Sequence, residues 1–328
     1  MSEHLIFLDF GAFAIYWYGL FIGGAVFFAA LLFSLLRKMQ GERFVSALRV
    51  SLTAMPAALI LSRIFYCWFA KASFPEGLRD CLNLLSGGYA LYGALAGVLL
   101  VLIVYALAEK QSLLQLIDAA VPAMLAAIVI GRLASLTSGG DIGFALSGVE
   151  DDNLPFVLWS ETEQAYILWV GFFEGIAAWI AFVLALAVFV LTYWVKQHGF
   201  AKGGTALVFM IICGFTQTML ESMRNDSLFM VTLGFVRISQ IISILLAVSA
   251  LVIIIVKGCR LQKPHVYDII LWVLCTAALG VAVYCEFEMN AVVLVRNYIM
   301  MGISLGIMMI VALFLFFRNV GVRSKLKI

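Results

Sequence analysis

The chain has 328 residues, of which 64% are hydrophobic and 12% are charged, and its mean hydropathy is +1.09. Soluble domains are about 45 to 50% apolar and about 25% charged, so no soluble fold has enough interior to bury this apolar surface. The formal net charge of +2 comes from scattered basic residues, whereas a nucleic-acid-binding surface has a basic patch or stripe. The composition predicts an integral membrane protein and excludes nucleic acid as a partner.

Nine hydrophobic stretches are long enough to cross a bilayer, which takes about 20 residues in a helix. Hydropathy places them at residues 12–36, 50–70, 88–108, 115–137, 165–195, 204–221, 232–256, 267–285 and 293–317. We therefore expect an all-α, polytopic membrane protein, with its helices numbered in chain order. The N-terminus has Glu3 and Asp9 instead of the basic region of a signal peptide, so we expect the first helix to be retained.

The connections between these helices are either basic or acidic, and positive charge favours the cytoplasmic side. The basic residues are Arg37, Lys38 and Arg43 after helix 1, Lys196 and Lys202 after helix 5, Lys257, Arg260 and Lys263 after helix 7, and Arg318, Arg323, Lys325 and Lys327 at the C-terminus. The connection between helices 4 and 5 instead carries Glu150, Asp151, Asp152, Glu161 and Glu163. We therefore predict a cytoplasmic C-terminus and an N-terminus on the outside.

This acidic connection, residues 138–164, is too long for a simple turn. Connections of this length are often functional. We predict an outward lid or a re-entrant segment, and a surface excursion is an equally supported alternative.

The cysteines give no sign of a metal or redox site. Six are present, and they form no CxxC pair and no cluster with the three histidines. We interpret them as packing thiols and expect neither a metal nor a cofactor.

Five charged side chains fall within or at the ends of predicted helices: Arg63, Arg132, Glu174, Glu221 and Arg224. A charge in the bilayer costs about 3 kcal/mol or more, so such groups normally face one another or a polar cavity. Arg132 lies among small residues that permit close helix packing, and its fork of donors suits a phosphate. Pairing of Arg132 with a buried carboxylate is the competing interpretation.

The other charged residues also allow two interpretations. Glu174 lies deep in helix 5 and needs a partner. Gln217, Glu221 and Arg224 share one helical face by their spacings of four and three, although a structural ion pair explains Glu221 and Arg224 equally well. Arg63 either belongs to a polar site or extends along the helix to the interface.

Three tyrosines complete the set of candidates. Tyr18 and Tyr89 fit an interfacial aromatic belt at least as well as a functional site. Tyr92 lies between Gly88 and Gly93, where glycine loosens the backbone. We predict that Tyr92 lines a cavity, with the belt as the alternative.

Seven short segments, taken in chain order over residues 12–256, resemble the prolipoprotein diacylglyceryl transferases, which are bacterial inner-membrane enzymes. The matching segments are Trp17-Tyr18-Gly19-Leu20 (family WYGL), Ser62-Arg63-Ile64 (GGRIGY), Gly87 to Gly93 (GGMSFHGG), Gly131-Arg132-Leu133 (GRLGNFINGE), Phe172-Phe173-Glu174 (LYE), Gly214 to Arg224 (R-x-x-x-E-x-x-R) and Ser239 to Ser243 (GQxLS). Each motif is weak alone, and their common order carries the resemblance.

The resemblance implies transfer of the diacylglyceryl group of phosphatidylglycerol to the thiol of a lipobox cysteine in a prolipoprotein. The implied partners are phosphatidylglycerol, the prolipoprotein signal peptide and membrane lipids, and the implied location is the bacterial plasma (inner) membrane. Arg132 matches the phosphate-binding arginine, and Tyr92 and Glu221 are the other catalytic candidates. The further substrate-binding candidates are Tyr18, Arg63, Ser135, Glu174, Gln217, Arg224 and Gln240.

The chain also departs from the family pattern. Tyr92 stands where the catalytic histidine is expected, Gln217 replaces the first arginine of the helix 6 motif, and Ser135 and Gly140 replace an asparagine and a glutamate, with Asp141 adjacent. Tyrosine, with a reference pKa near 10 against about 6.5 for histidine, is the poorer base near neutral pH. A catalytically inactive relative that binds lipid or a membrane protein partner is therefore the alternative function.

Helices 8 and 9 lie beyond the seven-helix core of the resemblance. We expect a transferase-like membrane domain at residues 1–260 and two additional transmembrane helices at residues 261–328. The sequence assigns no chemistry to these two helices. A transporter is a third possible function, but the chain has no detectable inverted repeats.

Overall fold

The computed structural model describes residues 6–9, 14–70, 88–146, 154–160, 164–225, 237–288 and 294–326. Within these ranges nine helices are long and apolar enough to cross a membrane. They are α1 (Trp17–Met39), α2 (Phe44–Ala70), α3 (Leu91–Ala108), α4 (Leu113–Ser138), α5 (Val170–Tyr193), α6 (Gly204–Met223), α7 (Ile238–Leu261), α8 (Val266–Phe287) and α9 (Leu294–Leu326). The prediction of an all-α, polytopic membrane protein is confirmed.

Two predicted helix starts are wrong because short strands precede the helices. Residues Ala14–Tyr16 form β2, which pairs antiparallel with β1 (Ile6–Asp9), so α1 starts at Trp17 and not at residue 12. Residues Ala165–Trp169 form β5, so α5 starts at Val170 and not at residue 165. Hydropathy alone does not separate a short apolar strand from a helix, and aromatic and β-branched residues such as those of β5 favour strands.

The C-terminal helix is also longer than predicted, since α9 reaches Leu326 and not residue 317. Arg318 and Asn319 follow residue 317 and ended the hydropathy signal, and the last turn of the helix carries Arg323 and Lys325. Cations at a helix C-terminus interact favourably with the backbone dipole, so the helix continues through them.

The connection between α4 and α5 contains a small antiparallel sheet. Its strands are β3 (Ile142–Ala145), β4 (Val157–Ser160) and β5, in the order β3-β5-β4. The register of β4 and β5 pairs Val157 with Leu168 and Ser160 with Ala165. A further bridge joins Gly143 of β3 to Arg224, just past the end of α6. The sheet thereby ties this connection to the sixth helix, and the rest of the lid prediction falls on residues 147–153 and 161–163, outside the described ranges.

Close helix packing depends on small residues, as expected in a membrane. A Cβ at Gly97 of α3 would lie 2.5 Å from the carbonyl oxygen of Ala57 in α2, and one at Gly93 would lie 2.6 Å from that of Leu61. Only glycine permits this approach of α3 to α2.

Helix α6 lies at the centre of the bundle. It contacts α4, α5, α7 and α9, and Val208, Ile211 and Phe215 on it are almost completely buried. Helix α9 supplies Met301 and Met308 to the same core. Helix α9 is therefore packed against the helix that carries Gln217 and Glu221, and α8 packs against α9.

Candidate functional site

The candidate residues gather at one end of the bundle. Consecutive spans run in opposite directions, so the starts of α1, α3, α5 and α7 lie at the same end as the ends of α2, α4 and α6. The candidates near this end are Tyr18, Arg63, Tyr92, Arg132, Ser135, Glu174, Gln217, Glu221, Arg224 and Gln240. The opposite end carries the basic connections after α1, α5 and α7.

At the centre of this end, two arginines are joined by carboxylates. Arg132 Nη1 lies 2.7 Å from Asp141 Oδ1 and 2.8 Å from Glu174 Oε2. Arg224 Nη2 lies 2.9 Å from the same Asp141 oxygen, and its Nη1 lies 3.6 Å from Glu174 Oε1. Glu221 completes the group, with Oε2 at 3.8 Å from Arg224 Nη1. These five residues form the ion-pair centre.

The pairing bears directly on the two interpretations of Arg132. Arg132 is paired with the carboxylates of Asp141 and Glu174. Such pairing is the competing interpretation that the sequence left open. In both ion pairs the contact is made by Nη1 of Arg132, at 2.7 Å from Asp141 and 2.8 Å from Glu174. The phosphate-binding role of Arg132 therefore stays a prediction.

The ion-pair centre is buried and has one more carboxylate than guanidinium. The Glu174 side chain is 1% exposed, and those of Arg132, Arg224 and Asp141 are 10 to 14% exposed. Glu174 Oε2 accepts no hydrogen bond from the described residues, because its 2.8 Å contact with Arg132 lacks hydrogen-bond geometry. Removing either partner of such a pair leaves an uncompensated buried charge.

Asp141 lies outside the membrane-spanning segments, and its ionisation follows from its neighbours. Burial raises the pKa of the Asp141 carboxyl, but the guanidinium groups of Arg132 and Arg224, with a hydrogen bond from Ser135, outweigh burial and lower it below its ordinary value. The carboxylate is thus the stable form at this position. The single Ser135 hydroxyl proton is shared with the Arg132 carbonyl oxygen, which lies 2.8 Å from Oγ, and Oγ accepts from Trp169 Nε1 at 3.3 Å.

Gln217 connects two of the carboxylates without adding a charge. Its Nε2 donates to Glu174 Oε1 at 2.6 Å and to Glu221 Oε2 at 3.1 Å. The shared helical face of Gln217, Glu221 and Arg224 was predicted from their spacing, and these contacts agree with it. An amide here satisfies two acceptors, whereas an arginine would also neutralise the extra carboxylate charge.

Tyr92 has a partner that the sequence did not single out. Its hydroxyl forms a hydrogen bond with Ser243 Oγ of α7. Because the Ser243 hydroxyl donates to the Ser239 carbonyl oxygen at 2.6 Å, Tyr92 is the donor in the pair. Gln240, one turn earlier, donates to the Thr218 carbonyl oxygen at 3.2 Å. The Ser239 to Ser243 motif therefore connects α7 both to α3 and to α6.

Arg63 contacts groups outside the ion-pair centre. Arg63 is buried, with its Nη1 donating to the Gly88 carbonyl oxygen at 3.0 Å and its guanidinium 5.7 Å from the Tyr66 ring centre. Its burial rules out the interfacial interpretation. Tyr18 and Tyr89 are exposed, as expected of an aromatic belt.

Comparison with known proteins shows which family the chain belongs to. A family model described as prolipoprotein diacylglyceryl transferase matches residues 5–256. The chain belongs to this family. The resemblance stated from the seven motifs is thereby confirmed, as is the expectation of a member of a transferase family.

Relatives named phosphatidylglycerol--prolipoprotein diacylglyceryl transferase align with most of the chain. One from Listeria monocytogenes serotype 4b is 29% identical over 265 residues, which cover 79% of this chain and 91% of the relative. One from Limosilactobacillus reuteri is 29% identical over 75% of this chain and 88% of the relative. One from Geobacillus kaustophilus is 28% identical over 78% and 93%. Helices α8 and α9 follow the part of the chain that the family model matches.

Asp141 is the residue of this transferase-family site that sequence reasoning missed. It is in the left-handed backbone region, with φ of 57°, which aspartate tolerates better than most residues. This turn directs its carboxylate back to α4, and Gly140, at the family's glutamate position, precedes it. The sequence signal for Asp141 was its position directly after Gly140, where the family has a glutamate. Ser243 was missed because only Gln240 was selected from its motif.

Proposed function

We propose that the chain is a phosphatidylglycerol–prolipoprotein diacylglyceryl transferase. The observation that carries the proposal is the buried ion-pair centre, which lies on the family's motif positions at one end of a membrane bundle. The names of the relatives support the same activity. A bundle kept only for packing has no need of five costly charges at this depth.

The proposed reaction transfers one group between two heteroatoms. The sulfur of the lipobox cysteine attacks the terminal glyceryl carbon of phosphatidylglycerol, a C–S thioether forms, and the C–O bond to the phosphate breaks. Glycerol phosphate leaves with the electron pair of that bond, and the thiol proton passes to a base. The reaction needs a thiolate and donors directed at the charge that develops on the phosphate.

Arg132 is the proposed phosphate ligand in this reaction. Its ion-pair contacts with Asp141 and Glu174 are made by Nη1, and we propose that its other donors bind a headgroup oxygen. A guanidinium presents such donors in a fixed fork. Arg224 is held beside it by Asp141 and provides a second cation for the departing phosphate.

Glu221 is the proposed acceptor of the thiol proton. The ion-pair centre has three carboxylates for two guanidiniums, and Glu221 has the longest of the ion-pair contacts, 3.8 Å to Arg224. Tyr92, whose hydroxyl donates to Ser243, orients α3 beside the site in this proposal and is a weaker base than the family's histidine.

The remaining predicted binding residues enter the proposal by position. Tyr18, Arg63, Ser135, Glu174, Gln217 and Gln240 surround the same end of the bundle. We place this end at the outer face of the bacterial inner membrane, with the N-terminus outside and the basic connections in the cytoplasm. The prolipoprotein signal peptide would then reach the site from within the bilayer.

The alternative is a relative that binds lipid without catalysis. Two observations favour it: both guanidiniums of the centre are already paired, and a tyrosine occupies the histidine position. The two functions differ in whether a thioether is formed.

The test is expression of the full chain in bacteria depleted of their own transferase, with mass spectrometry of a model lipoprotein. The transferase proposal expects the diacylglyceryl thioether with the wild type and its loss with Arg132→Ala. Arg318→Ala is the matched control, because Arg318 is ion-paired with the buried Asp268 on another part of the bundle. Absence of the thioether with both the wild type and a Tyr92→His, Gln217→Arg double variant would establish the non-catalytic alternative.

A further inference from the structure

The last turn of α6 carries Glu221 and Ser222 and is followed by Arg224, and helices outside the family-matched region contact it. The Ser222 hydroxyl donates to Glu286 Oε2 of α8 at 2.8 Å. The Ser222 carbonyl oxygen accepts from the Tyr298 hydroxyl of α9 at 2.9 Å. Ser222 is buried and lies between Glu221 and Arg224. Both its side chain and its backbone are hydrogen-bonded to the C-terminal helices.

The contact with Tyr298 satisfies a group that the helix itself leaves unpaired. The last four carbonyl groups of a helix have no amide partner within the helix, and Ser222 is one residue from the end of α6. A buried carbonyl without a partner costs about 1 to 3 kcal/mol. The Tyr298 hydroxyl therefore stabilises the end of α6, where the chain turns toward Arg224.

Tyr298 also contacts the strand that runs beside this turn. Its ring is stacked on Phe144 of β3, with ring centres 5.7 Å apart and an angle of 9°. The neighbouring Gly143 is bridged to the backbone of Arg224, and its carbonyl oxygen accepts from Asn225 Nδ2 at 2.8 Å. Helix α9 is therefore linked to Arg224 in two ways, through Ser222 and through strand β3.

Glu286 makes a second connection, to the start of α7. Arg237, which precedes α7, lies 3.5 Å from Glu286 Oε1, while Ser222 contacts the other oxygen. One carboxylate of α8 therefore joins the end of α6 to the start of α7, the helix that carries Gln240 and Ser243.

We propose that Glu286 and Tyr298 are positioning residues of the transferase site, through which the two C-terminal helices set the placement of Glu221 and Arg224. The inference rests on the proposed transferase function. Neither residue contacts the ion-pair centre in the described structure, so each acts through Ser222. This assigns a functional role to helices that lie after residue 256, where the family match ends.

The test uses the full-length protein in phosphatidylglycerol vesicles, with a lipobox peptide as acceptor. The variants are Tyr298→Phe, which keeps the stacked ring, and Glu286→Leu, which has a similar size and no hydrogen-bond acceptor. Tyr284→Phe and Glu288→Leu are the matched controls, because the side chains of Tyr284 on α8 and of Glu288 just after it are exposed. Turnover is normalised to folded protein, measured by size-exclusion chromatography and thermal unfolding.

We expect kcat to fall about 10- to 100-fold in each site variant with KM for phosphatidylglycerol unchanged, because a misplacement of catalytic groups by about 1 Å can cost about 100-fold. Ser222→Ala added to Glu286→Leu should cause no further loss. Normalised kcat values equal to those of the two controls, with an active wild type, would overturn the inference alone. An inactive wild type would overturn the proposed function and this inference with it.

Discussion

Asp141 Oδ1 lies 2.7 Å from Arg132 Nη1, so the connection after α4 turns back and places its carboxylate on the helix that precedes it. The same oxygen lies 2.9 Å from Arg224 Nη2. One side chain from a loop therefore holds two guanidiniums from two helices beside each other, where mutual repulsion would otherwise separate them.

Replacement of this carboxylate is the first prediction. Asp141→Asn should lower the free energy of unfolding by about 3 kcal/mol, because it removes the carboxylate oxygen that both buried guanidiniums contact. Activity per folded molecule should fall with it. Thermal unfolding in detergent and thioether formation measure the two effects. Ser160→Ala, in the neighbouring strand β4, is the control, and an Asp141→Asn variant as stable as this control would contradict the prediction.

The pH dependence of stability provides a second prediction. The folded-state pKa of Asp141 is lowered by Arg132 and Arg224, and the unfolded value is about 3.9. The stabilisation by Asp141 is therefore complete above the unfolded value and is lost as the pH falls through the folded value.

Unfolding midpoints of the wild type and of Asp141→Asn, measured from about pH 3 to about pH 7, check this sign. The difference between them should be constant above about pH 5 and should shrink below about pH 4. A difference that grows toward low pH would show that the carboxyl group, and not the carboxylate, stabilises the fold.

Restoring the family's arginine is the third prediction. Gln217 contacts Glu174 and Glu221, so Gln217→Arg would supply a third guanidinium for the third carboxylate. We expect a folded protein with a lower KM for phosphatidylglycerol, because the centre loses its excess negative charge. Gln217→Met has similar length without the charge and should raise KM. Equal KM values in the two variants would show that charge at this position does not affect the lipid.

The fourth prediction concerns Tyr92 and Ser243. Tyr92→Phe and Ser243→Ala each remove the hydrogen bond between α3 and α7, which should cost about 1 kcal/mol of stability. The double variant should cost little more than either single one, since both changes remove the same interaction. Additive losses would mean that the two hydroxyls act independently. Tyr92→His should increase the rate of transfer, because it restores the stronger base.

Much of the fold could be predicted from the sequence because the bilayer imposes it. Apolar stretches of about 20 residues are required for a spanning helix, and all nine appear. The starts of α1 and α5 were placed too early, since β2 and β5 are as apolar as the helices that follow them. Strand pairing depends on partners distant in the chain, which hydropathy does not report.

The site was predictable only where its residues share a helix. Spacings of four and three predict that Gln217, Glu221 and Arg224 share one helical face. Asp141 instead reaches the centre through a left-handed turn and a strand bridge, and Glu286 and Tyr298 reach Ser222, next to Glu221, through the packing of the last two helices. Such tertiary contacts leave no periodic signal in the chain.

Binding of the phosphate of an anionic phospholipid by Arg132 is tested by diacylglyceryl transfer with the purified full-length protein. Wild type, Arg132→Ala and Arg318→Ala would be compared in phosphatidylglycerol vesicles with a lipobox peptide, per folded molecule. We expect a loss of about 100-fold or more for Arg132→Ala alone, the size seen when a donor to developing charge is removed. Equal transfer by Arg132→Ala and Arg318→Ala would show that Arg132 does not bind the phosphate.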